Sequence, residues 1–205
     1  IPTGVLAAVK RGTFWDYIAR GVAIIGQGAP PFVIGLLLIV IFAVWLQDTP
    51  FELPAAGRPP QFNIKTYILP CIALGWPAAA GLMRLTRSAM LEVLDSEFVK
   101  LARAKGVGWN KVIYKHALKN ALITPLTSAL LLFSGWLNGA LVIEIIFGWP
   151  GIGYDALFTA VNDNDFPLLQ GTVFFFVIIF VIFALLADLL YTIIDPRVRL
   201  TGGEK

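Results

Sequence analysis

Charged residues fall in clusters along this chain, and long apolar stretches run between the clusters. Gly21 to Gln47 is 27 residues without Asp, Glu, Lys or Arg, Thr66 to Met83 is 18, Asn120 to Ile143 is 24 and Phe166 to Ala187 is 22. A helix needs about 20 mostly apolar residues to cross the hydrocarbon core of a bilayer. The pattern predicts an all-α polytopic membrane helix bundle, a single transmembrane domain over 1–205 with four spans at about 21–47, 66–85, 120–147 and 167–194. Pro70 and Pro77 interrupt the second run, which a membrane helix tolerates when neighbours re-satisfy the freed carbonyls.

The period changes in the loop between the second and third runs, at about 86–119. Leu94, Phe98, Leu101, Ala102 and Lys105 follow helical spacing, which predicts a short helix with an apolar stripe and a basic back. Ser96 is placed to cap its start, and Gly106 and Gly108 are placed to end it. Asn110 opens a second short helix with Val112, Ile113, His116 and Ala117 on one side. A stiff helix pair tied at both ends to membrane helices can transmit force, and its apolar face suits a groove on a cytosolic partner. A solvated interfacial helix among lipid headgroups is the alternative.

Composition sharpens this picture. Hydrophobic residues make up 58% and charged residues 14%, against about 45–50% and about 25% in soluble domains. That excludes a disordered chain and leaves too few polar residues to coat a soluble core of this kind. The N-terminal segment, the loop counted from Arg84 to Lys119, and the tail together hold 14 of the 16 Lys and Arg residues. Basic loops stay inside, so both termini and the 86–119 loop are expected on the cytoplasmic side. The net charge of +3 reflects that bias and does not point to nucleic acid.

Catalytic chemistry is not in view. The single Cys71 gives neither an internal disulfide nor a Cys-based zinc site, and it is expected as a small core residue. There is no G-x-x-x-x-G-K-[ST] phosphate loop, no metal-ligand spacing and no paired nucleophile and base. No catalytic residue, metal or cofactor is therefore expected on this chain. It opens at Ile1 without a signal-peptide pattern, and a longer protein is expected upstream.

A few polar groups interrupt the apolar runs. Glu144 is expected to line the outer mouth or to hydrogen-bond the Gly148-to-Gly153 turn, with a place in interfacial water as the alternative. Asp188 is expected to pair with a basic residue of the loop, with snorkelling into headgroups as the alternative. Asn138 and Gln27 read as hydrogen-bonding glue between helices, and Gly135 and Gly139 as a close-packing pair. Trp149, Pro150 and Gly151 belong to a turn whose composition favours a compact re-entrant loop, with Trp149 and Tyr154 as interface anchors. His116 reads as a contact residue.

Three stretches resemble one family. Glu97-Phe-Val-Lys-Leu-Ala-Arg-Ala-Lys-Gly106 followed by His116-Ala-Leu-Lys-Asn-Ala-Leu122 is similar to the cytoplasmic loop of permease subunits of ATP-binding-cassette importers. Glu144-Ile-Ile-Phe-Gly-Trp-Pro-Gly-Ile-Gly153 with Asp165-Phe-Pro167, and the ending Asp188-Leu-Leu-Tyr-Thr-Ile-Ile-Asp-Pro-Arg-Val-Arg-Leu200, agree with the dipeptide, oligopeptide and nickel branch. The general loop motif is kept at Ala102, Gly106 and Leu118. It is replaced at Lys100, Leu101, His116 and Lys119, as in the peptide branch.

The resemblance implies the type I importer permease fold and a bacterial or archaeal inner-membrane location, the four spans being the last four of six. It implies that Ser96, Glu97, Phe98, Lys100, Leu101, Ala102, Arg103, Lys105 and Gly106 couple to an ATPase. It also implies that Asn138, Glu144, Trp149, Pro150 and Gly151 serve an outer gate or the translocation path. The implied partners are a homologous second permease, two cytosolic ATP-binding subunits carrying ATP and Mg, a periplasmic or lipoprotein solute-binding protein, and membrane lipid. The solute would be peptides or similar small molecules. A secondary transporter is the rival, but such proteins place ionisable groups at the midplane, and these runs are almost free of charge. A membrane scaffold that transports nothing is the other.

Overall fold

The computed structural model describes residues 1–55 and 63–194, and among the described residues every regular element is a helix. In chain order these are α1 (Pro2–Val9), α2 (Phe14–Gly28), α3 (Pro31–Ile39), α4 (Lys65–Leu94), α5 (Glu97–Ala104), α6 (Trp109–Lys111), α7 (Leu118–Ala121), α8 (Ile123–Phe147), α9 (Thr159–Asn162) and α10 (Phe166–Ile194). Three π-helical segments extend them, Val40–Trp45 after α3, Val112–Ala117 between α6 and α7, and Ile152–Phe158 before α9. Such wide turns shift the helical register by one residue.

Helix length and composition account for membrane-crossing capacity. Lys65–Leu94 and Phe166–Leu186 are each long and apolar enough to cross a bilayer. The 21–47 run, read as one span, is instead two helices, Phe14–Gly28 and Pro31–Trp45, bent by 102°. Its apolar pattern continues through Pro30 and Pro31, but a proline cannot supply the N–H that would join the two helices. A second pair, Ala140–Phe147 and Ile152–Asn162, is bent by 86°. The second run also differs from expectation, because α4 continues to Leu94 through Arg84 and Arg87, nine residues past the expected end at 85. Pro70 and Pro77 both lie inside it.

The chain divides into two compact units. Among the described residues the first comprises 1–25, 79–132 and 183–194, and the second 26–55, 63–78 and 133–182. In the first, Val5 and Ala8 of α1, Met90 of α4, Ile113 and Ala117 of the second π-helical segment, and Ala121 of α7 form the core. Gly4 lets α1 approach α4 closely, since a Cβ there would stand 2.6 Å from the Met83 carbonyl oxygen and 2.7 Å from Thr86 Cβ. In the second unit the core is Ile34 and Leu38 of α3, Leu69 and Ala73 of α4, and Ile143 and Phe147 of α8. Cys71, expected in a core, is exposed. It lies between Leu69 and Ala73, both fully buried, and helical rotation carries it off their face.

Candidate functional site

The segment between α4 and α8 lies in the first unit and is built as expected in outline. Asp95 and Ser96 break α4 from α5, and Ser96 holds the N-cap position with extended backbone. Its hydroxyl does not cap α5, however, but donates back to the Val93 carbonyl. Val99 is the buried anchor of α5, at 1% exposure, while Phe98 and Leu101 are 45% and 56% exposed. The apolar stripe therefore faces outward, with Lys100, Arg103 and Lys105 also exposed and Ala102 half-buried. Lys100 Nζ lies 2.8 Å from Glu97 Oε1 on the helix surface, and that hydrogen bond raises the Lys100 pKa above its ordinary value.

The end of α5 is set by one glycine, not two. Gly106 has φ +78°, the left-handed conformation that closes a helix, and its N–H donates to Arg103 O at 2.9 Å. Val107 N–H donates to Ala102 O at 3.2 Å. Gly108 has φ −58° and is the N-cap of α6, which starts at Trp109, one residue before the expected Asn110. The Arg103 guanidinium sits 4.9 Å from the Trp109 ring centroid, a cation–π contact that bridges the turn. Val112, Ile113 and Ala117 are buried and His116 is half-buried, so the second helix packs inward on its predicted side.

The glycine-rich turn lies in the second unit. Glu144 Oε2 accepts the Tyr154 N–H at 3.1 Å, and Trp149 N–H donates to the Glu144 carbonyl at 2.8 Å. The carboxylate lies over the turn. A Cβ on Gly151 would stand 2.4 Å from it, so a larger residue there would have to push the carboxylate aside. Glu144 thus hydrogen-bonds the turn, one of the roles weighed for it. The Trp149 ring meets Tyr67 edge-on at 4.6 Å between centroids, Tyr154 stacks on Phe158 at 5.6 Å, and Pro150 is exposed. The side chains of Asn138 and Asp188, the Gly135 and Gly139 pair, and the tail from 195 lie outside the described residues. Gln27 is exposed at the end of α2.

One polar pair escaped the sequence reading. Arg87 Nε lies 2.7 Å from Asp16 Oδ1 and Arg87 Nη2 lies 2.9 Å from Oδ2, a bidentate ion pair across 71 residues. Asp16 Oδ2 also accepts the Gly12 N–H at 3.0 Å. The Asp16 side chain is 2% exposed and that of Arg87 is 19%. No local spacing announces a pair this distant.

Among the described residues no group of three or more His, Cys, Asp or Glu side chains is arranged to hold a metal ion.

Comparison with known proteins then places the chain. Residues 1–200 match the family model for the inner membrane component of binding-protein-dependent transport systems. The chain is 40% identical to the dipeptide transport system permease protein DppB of Alkalihalophilus pseudofirmus, over 97% of this chain and 66% of that protein. It is 40% identical to DppB of Bacillus subtilis, over 96% of this chain and 61% of the relative. It is 37% identical to DppB of Escherichia coli K12, over 97% and 66%. The chain thus spans somewhat under two thirds of the length of these curated relatives. It belongs to the family of binding-protein-dependent transport system inner membrane components.

Proposed function

We propose that this chain is part of a permease subunit of an ATP-driven importer, forming half of a path for peptides or similar small solutes. The observation that carries the reading is the outward-facing Phe98 and Leu101 stripe on a helix anchored by Val99 and closed by Gly106. An apolar stripe with a basic surround, held stiffly between two long helices, suits insertion into a groove of a soluble partner. Family membership supports assigning that partner as an ATP-binding subunit, with ATP and Mg held there and not on this chain.

In this reading the segment from Ser96 to Gly106, which contains α5, receives the push of ATP-driven closure. The turn held by Glu144, with Trp149, Pro150, Gly151 and Asn138, serves the outer gate. A homologous permease supplies the other half of the path, two ATPases bind inside, and a solute-binding protein delivers from outside. Both termini of this chain face the cytoplasm of a bacterial or archaeal cell. The transition is a two-state change, and ATP drives it only through unequal affinity for the two states.

The test is a cysteine at Ala102 (A102C) in a Cys71→Ser background, in the complete transporter in native membranes. Cross-linking to an ATP-binding subunit, with ATP hydrolysis stimulated by the loaded binding protein, is the expected result. Uptake that persists without any ATPase and follows an ion gradient would overturn it in favour of a secondary transporter.

A further inference from the structure

Four positions on one part of α4 gather the first unit around them. Met83 and Thr86 receive Gly4 of α1, Met90 packs with Val5 and Ala8 and with Ile113 and Ala117, and Arg87 holds Asp16 at the start of α2. The first two contacts are apolar or steric and carry no directional bond. The third is directional. A guanidinium fork meeting both carboxylate oxygens has one geometry, and the Gly12 N–H fixes the same carboxylate from the turn between α1 and α2. Gly12 itself sits at φ +76°, the left-handed conformation this turn requires.

A desolvated ion pair is a poor way to gain stability. Well-packed apolar residues of the same volume often do as well or better. What the pair supplies is register. α4 ends at Leu94 and α5 begins at Glu97, so Arg87 stands about two turns before the end of α4, which leads into the helix that meets the partner in the proposed function.

We propose that Asp16 and Arg87 are positioning residues for transport, a clasp that makes the start of α2 follow α4 when α5 is displaced. This rests on the importer reading given above. Without the clasp, a push on α5 would be taken up by slippage of α4 along α1 and α2, and ATP would be hydrolysed with little solute moved.

The experiment uses the complete transporter in proteoliposomes and measures solute taken up per ATP hydrolysed, together with thermal unfolding. The variants are Asp16→Asn, Arg87→Lys and the apolar double Asp16→Leu with Arg87→Met. Losing one charge-assisted hydrogen bond should lower uptake per ATP about tenfold in each single variant, with hydrolysis retained. The double variant should unfold at or near the wild-type temperature and still show the low ratio, an effect a merely structural role does not produce. A wild-type ratio in any correctly inserted variant overturns the clasp. So does a double variant that fails to insert, because the pair is then needed for folding alone. If the unaltered complex shows no ATP-driven uptake, the importer reading fails and the clasp with it. Normal wild type beside normal variants fails the clasp alone.

Discussion

Gly106 has φ +78°, and a Cβ built on it meets nothing within 4 Å. Any cost of substitution there is therefore a backbone cost, separable from packing. Holding an L-residue in the left-handed region costs about 1–2 kcal/mol, asparagine adopts it most readily after glycine, and a β-branched residue is a genuine outlier there. A loss of this size shifts a local equilibrium by a factor of about 5–30. The expected order is then fixed before any measurement. Gly106→Asn should keep most uptake per ATP, Gly106→Ala should retain about a fifth or less, and Gly106→Val should be lowest. Insertion and thermal unfolding of the membrane part should stay close to wild type, since the position is exposed and lies between two short helices. The assay is solute uptake and ATP hydrolysis in proteoliposomes containing all partner subunits. Two results refute the reasoning. Normal coupling in Gly106→Val removes the need for a left-handed turn. Asparagine behaving worse than alanine means side-chain bulk against the partner, and not φ, sets the outcome.

Other consequences follow from the packing. Gly4→Val should overpack the α1–α4 contact and lower stability by about 1–3 kcal/mol, read as thermal unfolding in detergent. Gly151→Ala should disturb the turn beneath Glu144, and adding Glu144→Ala should restore part of the loss. The expected coupling energy between the two is about 0.5–3 kcal/mol in a double-mutant cycle, and strict additivity would refute the contact. Phe98→Asp combined with Leu101→Asp changes exposed positions only, so unfolding should move by no more than about 0.5 kcal/mol per site. Stimulation of ATP hydrolysis by the binding protein should nevertheless disappear.

The elements most legible in the sequence were those whose apolar run and helical geometry agree. α10 covers the charge-free run from Phe166, and α8 takes up that from Asn120 at Ile123, after a one-residue break at Leu122. The run from Gly21 looked equally continuous by composition, and the two adjacent prolines at 30 and 31 mattered more than the surrounding leucines and isoleucines. In the loop, the stripe of Phe98 and Leu101 and the left-handed Gly106 were readable from spacing. Val99, which anchors the helix, was not, since the larger Phe98 and Leu101 on either side of it define the more prominent apolar stripe. Cys71 was misjudged because burial depends on which side of α4 meets neighbours, and an all-apolar helix gives no marker of its inner side. The Asp16–Arg87 pair depends on tertiary approach across 71 residues, information that local pattern does not contain.

The two prolines within α4 stand seven residues apart. Each withdraws a donor from the carbonyl four residues earlier, that of Thr66 for Pro70 and that of Ala73 for Pro77. Seven residues bring a helix back to within about 20° of the same azimuth. Both weakened rungs therefore line one edge of the rod. Its compliance is anisotropic, with easy flexure in the plane through that edge and near-normal stiffness across it.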